Sequence, residues 1–187
     1  MSSRTVALAC LALVLATGIV ELGMGRLLFG PDGRFGWIAL DVWSSENSQR
    51  VIDPYSLSHV LHGVLFYALL HLVAPRASLG TRLVAAVALE AGWEVLENSP
   101  LVINRYREVT MALGYEGDSV INSVSDVVMM AIGFGLAAWL PVRGSVALVL
   151  VSELVMLVAI RDNLTLNIVM LVYPLDAIRR WQMAGRD

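Results

Sequence analysis

Long apolar segments alternate with short polar stretches along the chain, and this pattern predicts helices that cross a membrane. A transmembrane helix needs about 20 mostly apolar residues. Six segments approach that length, and they cover residues 5–24, 55–74, 81–98, 119–140, 144–161 and 164–181. Pro174 interrupts the short apolar core of the last segment, which indicates a short or tilted helix. The pattern predicts one all-α domain over residues 1–187, a polytopic transmembrane helix bundle of about six helices.

The composition agrees with this interpretation and excludes several functions. Hydrophobic residues make up 57% of the 187 residues and charged residues only 16%, against about 25% in soluble domains. The net charge is −3 and no basic run is present, which argues against nucleic acid as a partner. Cys10 is the single cysteine, so no intramolecular disulfide can form.

The distribution of arginine predicts an orientation. Six crossings would place both termini on one side of the membrane. The arginines of the short loops and the tail on that side are Arg4, Arg76, Arg82, Arg143, Arg179, Arg180 and Arg186. Cytoplasmic loops of membrane proteins carry an excess of positive charge, and short loops weigh most in this rule. We therefore expect cytoplasmic termini.

The third segment carries charge that a bilayer-spanning helix normally lacks. The stretch EAGWEVLENSP places Glu90, Glu94 and Glu97 in its last turns. A charged side chain at the centre of an inserted helix costs roughly 2.5–3.5 kcal/mol. Such side chains normally face the interior of the bundle or a water-filled cavity. We therefore expect these glutamates to line a polar cavity that opens to the periplasm.

Other polar residues collect at the same end of the predicted bundle. With alternating crossings, the first turns of the second and fourth segments and the junction of the last two lie beside the glutamates. The polar residues in these places are His59, His62, Asp118, Asn122, Asp126, Arg161 and Asn167. A rise of about 1.5 Å per residue puts Glu90, His62 and Asp126 at a similar depth. This depth predicts that their side chains share one site.

Two kinds of chemistry fit these residue types. Two imidazoles beside carboxylates are typical ligands of Zn, Fe or Mn, so one transition-metal ion is a candidate cofactor. Its candidate ligands are His59, His62, Glu94 and Asp126. Buried histidines and carboxylates also serve as general acids and bases, and the candidate catalytic residues are Glu90, Glu94, Asp126 and His62. The structural alternative is that the histidines form hydrogen bonds within a helix interface and the glutamates pair with arginines.

Arginines and asparagines near the same end predict a binding site for an anionic group. Arg105 and Arg107 in the stretch NRYR, together with Arg161, form a candidate clamp for a phosphate or carboxylate. Asn122 and Asn167 are candidate polar contacts to the same ligand. The alternative for NRYR is an interfacial loop that is solvated by lipid headgroups. The expected partners are membrane lipids and a lipid-linked or anionic small molecule.

Three stretches of the chain carry a likeness to a known family. They are EAGWEVLENSPLVINRYRE, GDSVINSVSD and RDNLTLN, the last followed by YP. Their combination resembles an uncharacterised family of small proteobacterial inner-membrane proteins, and the resemblance covers most of the chain. It implies a multi-pass protein of the bacterial inner membrane and no particular chemistry.

A more distant resemblance is to the VanZ-like membrane proteins, which are associated with glycopeptide-antibiotic resistance. Those proteins have a histidine in one helix, a glutamate in the next, an arginine in a loop and then an Asp-x-x-x-Asn pattern. The matching positions here are His62, Glu94, Arg105 or Arg107, Asp118 and Asn122. The VanZ-like pattern has a glycine where this chain has Ser125, and usually a glutamine where it has Glu97.

Two functional hypotheses follow from the sequence. The first is an envelope enzyme that acts on a lipid-linked or phosphate-bearing substrate at the outer leaflet. The second is a non-enzymatic transport, ion-binding or assembly protein whose buried polar network fixes helix packing. A transporter needs polar residues along a route to both faces of the membrane. The predicted concentration of polar residues at one end favours a one-sided site.

Overall fold

The computed structural model describes residues 1–112 and 114–185, so Arg186 of the expected basic tail lies outside the described residues. In this part of the chain the structure contains eight α-helices and no strand, apart from one isolated β-bridge between Ile38 and Ile52. The helices are α1 (Ser3–Gly23), α2 (Ser56–Val73), α3 (Leu79–Glu97), α4 (Pro100–Val109), α5 (Val120–Trp139), α6 (Val142–Ile160), α7 (Leu164–Val172) and α8 (Asp176–Met183). The all-α prediction is confirmed.

The number of membrane-crossing helices differs from the predicted six. Among the described residues, α1, α2, α5 and α6 are long and apolar enough to cross a membrane. The third predicted segment forms α3, which carries three glutamates and Arg82 and is more polar than these four helices. The sixth forms two short helices, because α7 ends after nine residues, just before Pro174. A helical bundle is therefore present, but the count of six crossings is not supported.

Although polar, α3 runs the full length of the bundle beside α1. At one end a Cβ added to Gly80 would lie 2.6 Å from Val6 of α1. At the other end Asn98, which follows α3, donates a hydrogen bond of 3.4 Å to Glu21 of α1. The two helices are therefore parallel, and the charged half of α3 lies where α1 finishes. We call this end, which also contains the first turns of α2 and α5, the polar end.

Two glycines allow α2 and α5 to pack in close contact. A Cβ added to Gly63 would lie 2.0 Å from the carbonyl oxygen of Met130, and a Cβ added to Gly133 would lie 1.9 Å from that of Val60. Small residues let the backbones of membrane helices approach closely in this way. The contact fixes the histidines of α2 relative to Asp126 of α5.

The long segment between α1 and α2 folds over the polar end. Its Arg50 is 5% exposed and forms ion pairs with Asp32 and Glu46. Hydrogen bonds to these carboxylates, above all to Glu46, raise the pKa of the Arg50 guanidinium. Ser119, just before α5, donates its backbone N–H to the carbonyl of Ser48 at 3.0 Å. The segment is therefore tied to the bundle and forms part of the wall above the site.

The C-terminal helices return to the polar end instead of crossing the bundle. The nine residues of α7 span about 14 Å at 1.5 Å per residue, less than half of a hydrocarbon core of about 30 Å. Arg161, which follows α6 at the polar end, donates a hydrogen bond of 3.1 Å to the carbonyl of Trp181 in α8. The described C-terminal residues therefore lie opposite the start of α1, which corrects the expectation that both termini share one side. Arg179 and Arg180 of α8 therefore also lie at the polar end.

Candidate functional site

Glu90 of α3 binds two histidines of α2 at the polar end. Its side chain is fully buried, and its Oε1 atom lies 2.6 Å from His59 Nδ1 and 2.9 Å from His62 Nδ1. Residues three apart lie on one face of a helix, which is why both imidazoles reach the same carboxylate. An ionised carboxylate can only accept hydrogen bonds, so each Nδ1 donates. Each Nε2 atom is then free to bind something other than Glu90.

Glu94 and Asp126 complete the group around His59. Glu94 lies one turn after Glu90, with its Oε1 atom 3.4 Å from His59 Nδ1, while Asp126 Oδ2 lies 3.8 Å from His59 Nε2. Glu94 is fully buried, and neither of its oxygens has a hydrogen-bond partner among the described residues; Asp126 Oδ1 also lacks one. Buried polar atoms without a partner are rare, and they mark places where a proton, a water molecule or an ion belongs.

A second carboxylate group adjoins the first. Carboxylate oxygens of Glu94, Glu97 and Asp118 lie within 4.8 Å of one another. Asp118 accepts hydrogen bonds from the Tyr115 hydroxyl at 3.0 Å and from the Asn98 amide at 3.2 Å. Burial raises the pKa of Asp118 to about 6, against the lowering effect of the Tyr115 hydrogen bond. The polar end therefore contains two neighbouring groups of ionisable side chains, with Glu94 close to both.

A cavity of about 510 Å³ opens over these groups. The polar residues that line it include His59, His62, Glu97, Asp118, Asn122, Asp126 and Asn167. The apolar residues that line it include Leu65, Phe66, Leu89, Trp93, Ile168 and Leu171. Leu65, Leu89 and Ile168 are each about half exposed on the outside of the bundle, where lipid would surround it. The cavity therefore has a polar floor and an apolar side next to the lipid.

All of the residues predicted to be catalytic or metal-binding lie together at the polar end, where three of them line the cavity and the two glutamates are fully buried beside them. They are His59, His62, Glu90, Glu94 and Asp126. The potential metal-binding atoms of His59 and His62 lie within 4.8 Å of one another and of a Glu90 oxygen. Glu90 is therefore grouped with the two histidines, whereas the sequence predicted Glu94 as their partner ligand. The roles of these residues stay predictions.

The arginines predicted to clamp an anion use their guanidinium groups to bind backbone carbonyls. Arg105 donates to the carbonyl of Leu171 at 3.0 Å, and Arg107 donates to the carbonyl of Tyr115. Arg161 contacts Trp181, as described above. None of the three lines the cavity in the described part of the chain. Their role as a headgroup clamp also stays a prediction.

The two asparagines predicted as polar contacts do line the cavity. Asn122 donates its side-chain amide to the carbonyl of Arg50 at 2.8 Å, which ties the floor to the segment above it. Asn167 accepts a hydrogen bond of 2.9 Å from the Tyr106 hydroxyl, which joins α7 to α4. Both therefore hold the shape of the cavity through their own hydrogen bonds.

Several residues that complete the site did not stand out in the sequence. Glu21 is fully buried near Asn98, and its position as the single charged residue of the first apolar segment was a signal that could have found it. Tyr106 and Tyr115 gave no such signal, because tyrosine is common wherever a helix meets the membrane surface. Their contribution depends on how the segment around α4 folds back over α3.

Fold and site together define a helical membrane protein with a buried polar cluster at one end. A family model described as "Protein of unknown function (DUF2585)" matches residues 21–184, so the chain belongs to this family. A UPF0314 protein of Sphingopyxis alaskensis is 47% identical over 183 residues, which are 98% of this chain and 97% of the relative. Another, of Rhizobium etli, is 48% identical over 177 residues, 93% of this chain and 89% of the relative.

A UPF0314 protein of Paracoccus denitrificans is 54% identical over 144 residues, 77% of this chain and 75% of the relative. No solved structure shows significant similarity to the chain. The comparisons therefore support the resemblance to an uncharacterised proteobacterial family, and they do not show the likeness to VanZ-like proteins.

Proposed function

We propose that this protein is an enzyme of the bacterial inner membrane that acts on a lipid-linked or phosphate-bearing envelope substrate. The observation that carries the proposal is the cavity, which joins buried histidines and carboxylates to an apolar wall on the lipid side. An amphiphilic substrate can place its head on the polar floor while its hydrocarbon chain lies along the wall. A fully polar substrate would gain little from that wall.

His62 is the proposed general acid or base. It lines the cavity with 16% of its side chain exposed, and Glu90 binds its Nδ1 atom, which leaves Nε2 to exchange a proton with a substrate. Phe66 stacks on the imidazole with 5.8 Å between ring centroids and limits its rotation. Glu90 acts as a positioning residue, because its charge fixes the tautomer and stabilises the protonated ring.

Metal binding is the second candidate chemistry, and one distance favours it. His59 Nε2 and Asp126 Oδ2 are 3.8 Å apart, too far for a hydrogen bond. Two ligands of one tetrahedral ion, each about 2.1 Å from the metal, lie about 3.4 Å apart. Glu90 would then be the carboxylate that orients a metal-binding histidine through its other nitrogen. A transition metal there would polarise the bond to be broken or activate a water molecule.

The rival proposal is a non-enzymatic transport, ion-binding or assembly protein, and it predicts a different effect of substitutions at the same residues. If the network only fixes helix packing, neutral replacements of similar shape should keep function. The third histidine provides an internal comparison, because His71 lies at the opposite end of α2 and accepts a 2.8 Å hydrogen bond from Arg82. The position of the buried group at one end of the bundle favours a one-sided site over a transport route.

The polar end is proposed to face the periplasm. The short loops of the opposite end, residues 74–78 and 140–141, and the first four residues contain no acidic residue. Four arginines lie in or near them: Arg4, Arg76, Arg82 and Arg143. Arginine in short loops favours the cytoplasmic side. A periplasmic site would give the enzyme access to the outer leaflet of the inner membrane, where lipid-linked envelope substrates are used.

Lipid analysis of a deletion strain tests the proposed activity. Loss of the gene should cause one lipid or lipid-linked intermediate to accumulate, and the wild-type gene should restore the normal profile. His62→Gln should fail to restore it while reaching the membrane in normal amount, because glutamine cannot exchange the proton. His71→Gln is the matched control on the same helix and should restore it. An unchanged lipid profile in the deletion strain, or full restoration by His62→Gln, would contradict the proposal.

A further inference from the structure

The polar end buries more negative than positive charge. The carboxylates that lie together there are Glu90, Glu94, Glu97, Asp118 and Asp126. His59 and His62 lie within 4 Å of three of these carboxylates, and in the described part of the chain no arginine forms an ion pair with any of the five. An isolated buried carboxylate is costly, so protons or cations must accompany these groups.

The excess is concentrated in the second carboxylate group. Glu90 is satisfied by two imidazoles, whereas fully buried Glu94 has no hydrogen-bond partner for either oxygen. The Glu97 and Asp118 side chains line the cavity beside it, and their oxygens lie within 4.8 Å of each other and of Glu94. Three carboxylates this close repel one another strongly unless a positive charge lies between them.

We infer that Glu94, Glu97 and Asp118 form a binding site for a hard divalent cation, distinct from the histidine site. Every candidate ligand atom is a carboxylate oxygen, the type that Mg²⁺, Ca²⁺ and Mn²⁺ prefer, and no imidazole is needed. Tyr115 and Asn98 donate hydrogen bonds to Asp118 and fix its orientation, as supporting residues do around metal ligands. Glu94 links the two sites, because it also lies 3.4 Å from His59.

The cation would also help the proposed enzyme to bind its substrate, and in this respect the inference rests on the proposed function. A phosphate-bearing head cannot bind favourably to a floor of carboxylates with no arginine among the described lining residues. A divalent cation beside the histidines would supply the attraction that the sequence assigned to Arg105, Arg107 and Arg161. Binding of the cation itself does not depend on the enzymatic role.

Manganese binding to the purified full-length protein tests the site. After chelator treatment and its removal, Mn²⁺ should bind saturably, one ion per chain, as followed by electron paramagnetic resonance, and excess Mg²⁺ or Ca²⁺ should displace it. Mn²⁺ should also raise the melting temperature of the wild type, since a ligand that binds the folded state stabilises it. Electron spin echo modulation should show no ¹⁴N coupling of the strength that a directly bound imidazole gives, because no imidazole is a ligand of this site. This readout needs no variant.

Three variants separate the two sites. Glu97→Gln and Asp118→Asn should each weaken Mn²⁺ binding by about tenfold or more, with little change in the melting temperature of the metal-free protein. His62→Gln should leave Mn²⁺ affinity within about twofold. The inference is overturned by a wild type that binds no Mn²⁺ saturably, by ¹⁴N coupling from a directly bound imidazole, or by an equal loss of Mn²⁺ affinity in His62→Gln. Normal Mn²⁺ binding with an unchanged lipid profile in the deletion strain would overturn the proposed function alone.

Discussion

Glu90 and Glu94 show how two identical side chains one turn apart can differ in their effect on stability. Both are fully buried on α3. Glu90 accepts hydrogen bonds from His59 and His62, whereas neither oxygen of Glu94 has a partner in the described chain. Removing one member of a buried polar pair costs about 1–3 kcal/mol, but removing an unpaired buried charge relieves a desolvation cost.

We therefore predict opposite stability effects for Glu94→Gln and Glu90→Gln. In detergent with chelator present, Glu94→Gln should melt at an unchanged or higher temperature, because the substitution removes a buried carboxylate whose oxygens accept no hydrogen bond. It should nevertheless fail to complement a deletion strain, which is the usual trade at functional sites. Glu90→Gln should melt at a lower temperature, since glutamine carries no charge and offers the two imidazoles one acceptor oxygen instead of two. A strongly destabilised Glu94→Gln, or one that complements fully, would remove Glu94 from the functional site.

For single residues, the positions of buried acidic side chains could be predicted from the sequence better than those of arginines near the membrane surface. Glu94 and Asp126 were accessible to sequence reasoning, because a charge inside an apolar segment has few places to go. The arginines were not, since a long side chain near a membrane surface can turn toward headgroups, carbonyls or a cavity with little cost. Arg105 binds the Leu171 carbonyl of α7, a contact that depends on how α7 folds back.

The contact between α2 and α5 positions the site at the scale of whole helices. Gly63 and Gly133 bring the two backbones together, and His59 and Asp126 lie on the polar side of that contact. Any side chain at either glycine would push the helices apart. The distance between histidine and carboxylate depends on these glycines, although neither glycine touches the cavity.

Gly133→Ala should therefore destabilise the protein and impair its function. The new Cβ would lie 1.9 Å from the carbonyl oxygen of Val60, so the helices must separate, and forcing extra atoms into a packed contact costs about 1–3 kcal/mol. Gly135→Ala is the matched control on the same helix, because nothing lies within 4 Å of its Cβ position. It should melt at an equal or higher temperature than the wild type, since alanine favours helix. Equal melting temperatures for the two variants would contradict this role of Gly133.

The positions of the helical segments could be predicted well from the sequence, but which of these segments cross the membrane could not. Segment 164–181 has the length of a crossing, yet Pro174 divides it and the two halves fold back. Segment 81–98 traverses the bundle despite its charges, because Glu90 and Glu94 are buried against the histidines of α2. Hydropathy reports the average polarity of a segment. Whether segments 81–98 and 164–181 run through the bundle depends instead on which helices their individual faces contact.

The whole molecule is asymmetric along the bundle axis, and its topology follows from that asymmetry. The polar end holds the cavity, the long segment after α1, α4 and both C-terminal helices. Within residues 1–112 and 114–185, the opposite end has only short turns, residues 74–78 and 140–141, and the start of α1. In the structure α8 contacts Arg161 at the polar end, whereas six crossings would place α8 at the opposite end. The end of α8 is therefore an accessible position that distinguishes the two arrangements.

Cysteine labelling of intact cells can resolve that disagreement. In a Cys10→Ser background, single cysteines at Ser45, Glu116 and Ala184, all exposed at the polar end, should share one accessibility to a membrane-impermeant maleimide. Cysteines at Arg76 and Arg143, exposed at the opposite end, should show the other. With the proposed orientation, the first three are labelled from outside and the last two only after the membrane is opened. Six crossings would instead give Ala184 the behaviour of Arg143, and that result would overturn the return of α7 and α8 to the polar end. The reverse pattern at all five positions would leave the fold intact and place the polar end in the cytoplasm.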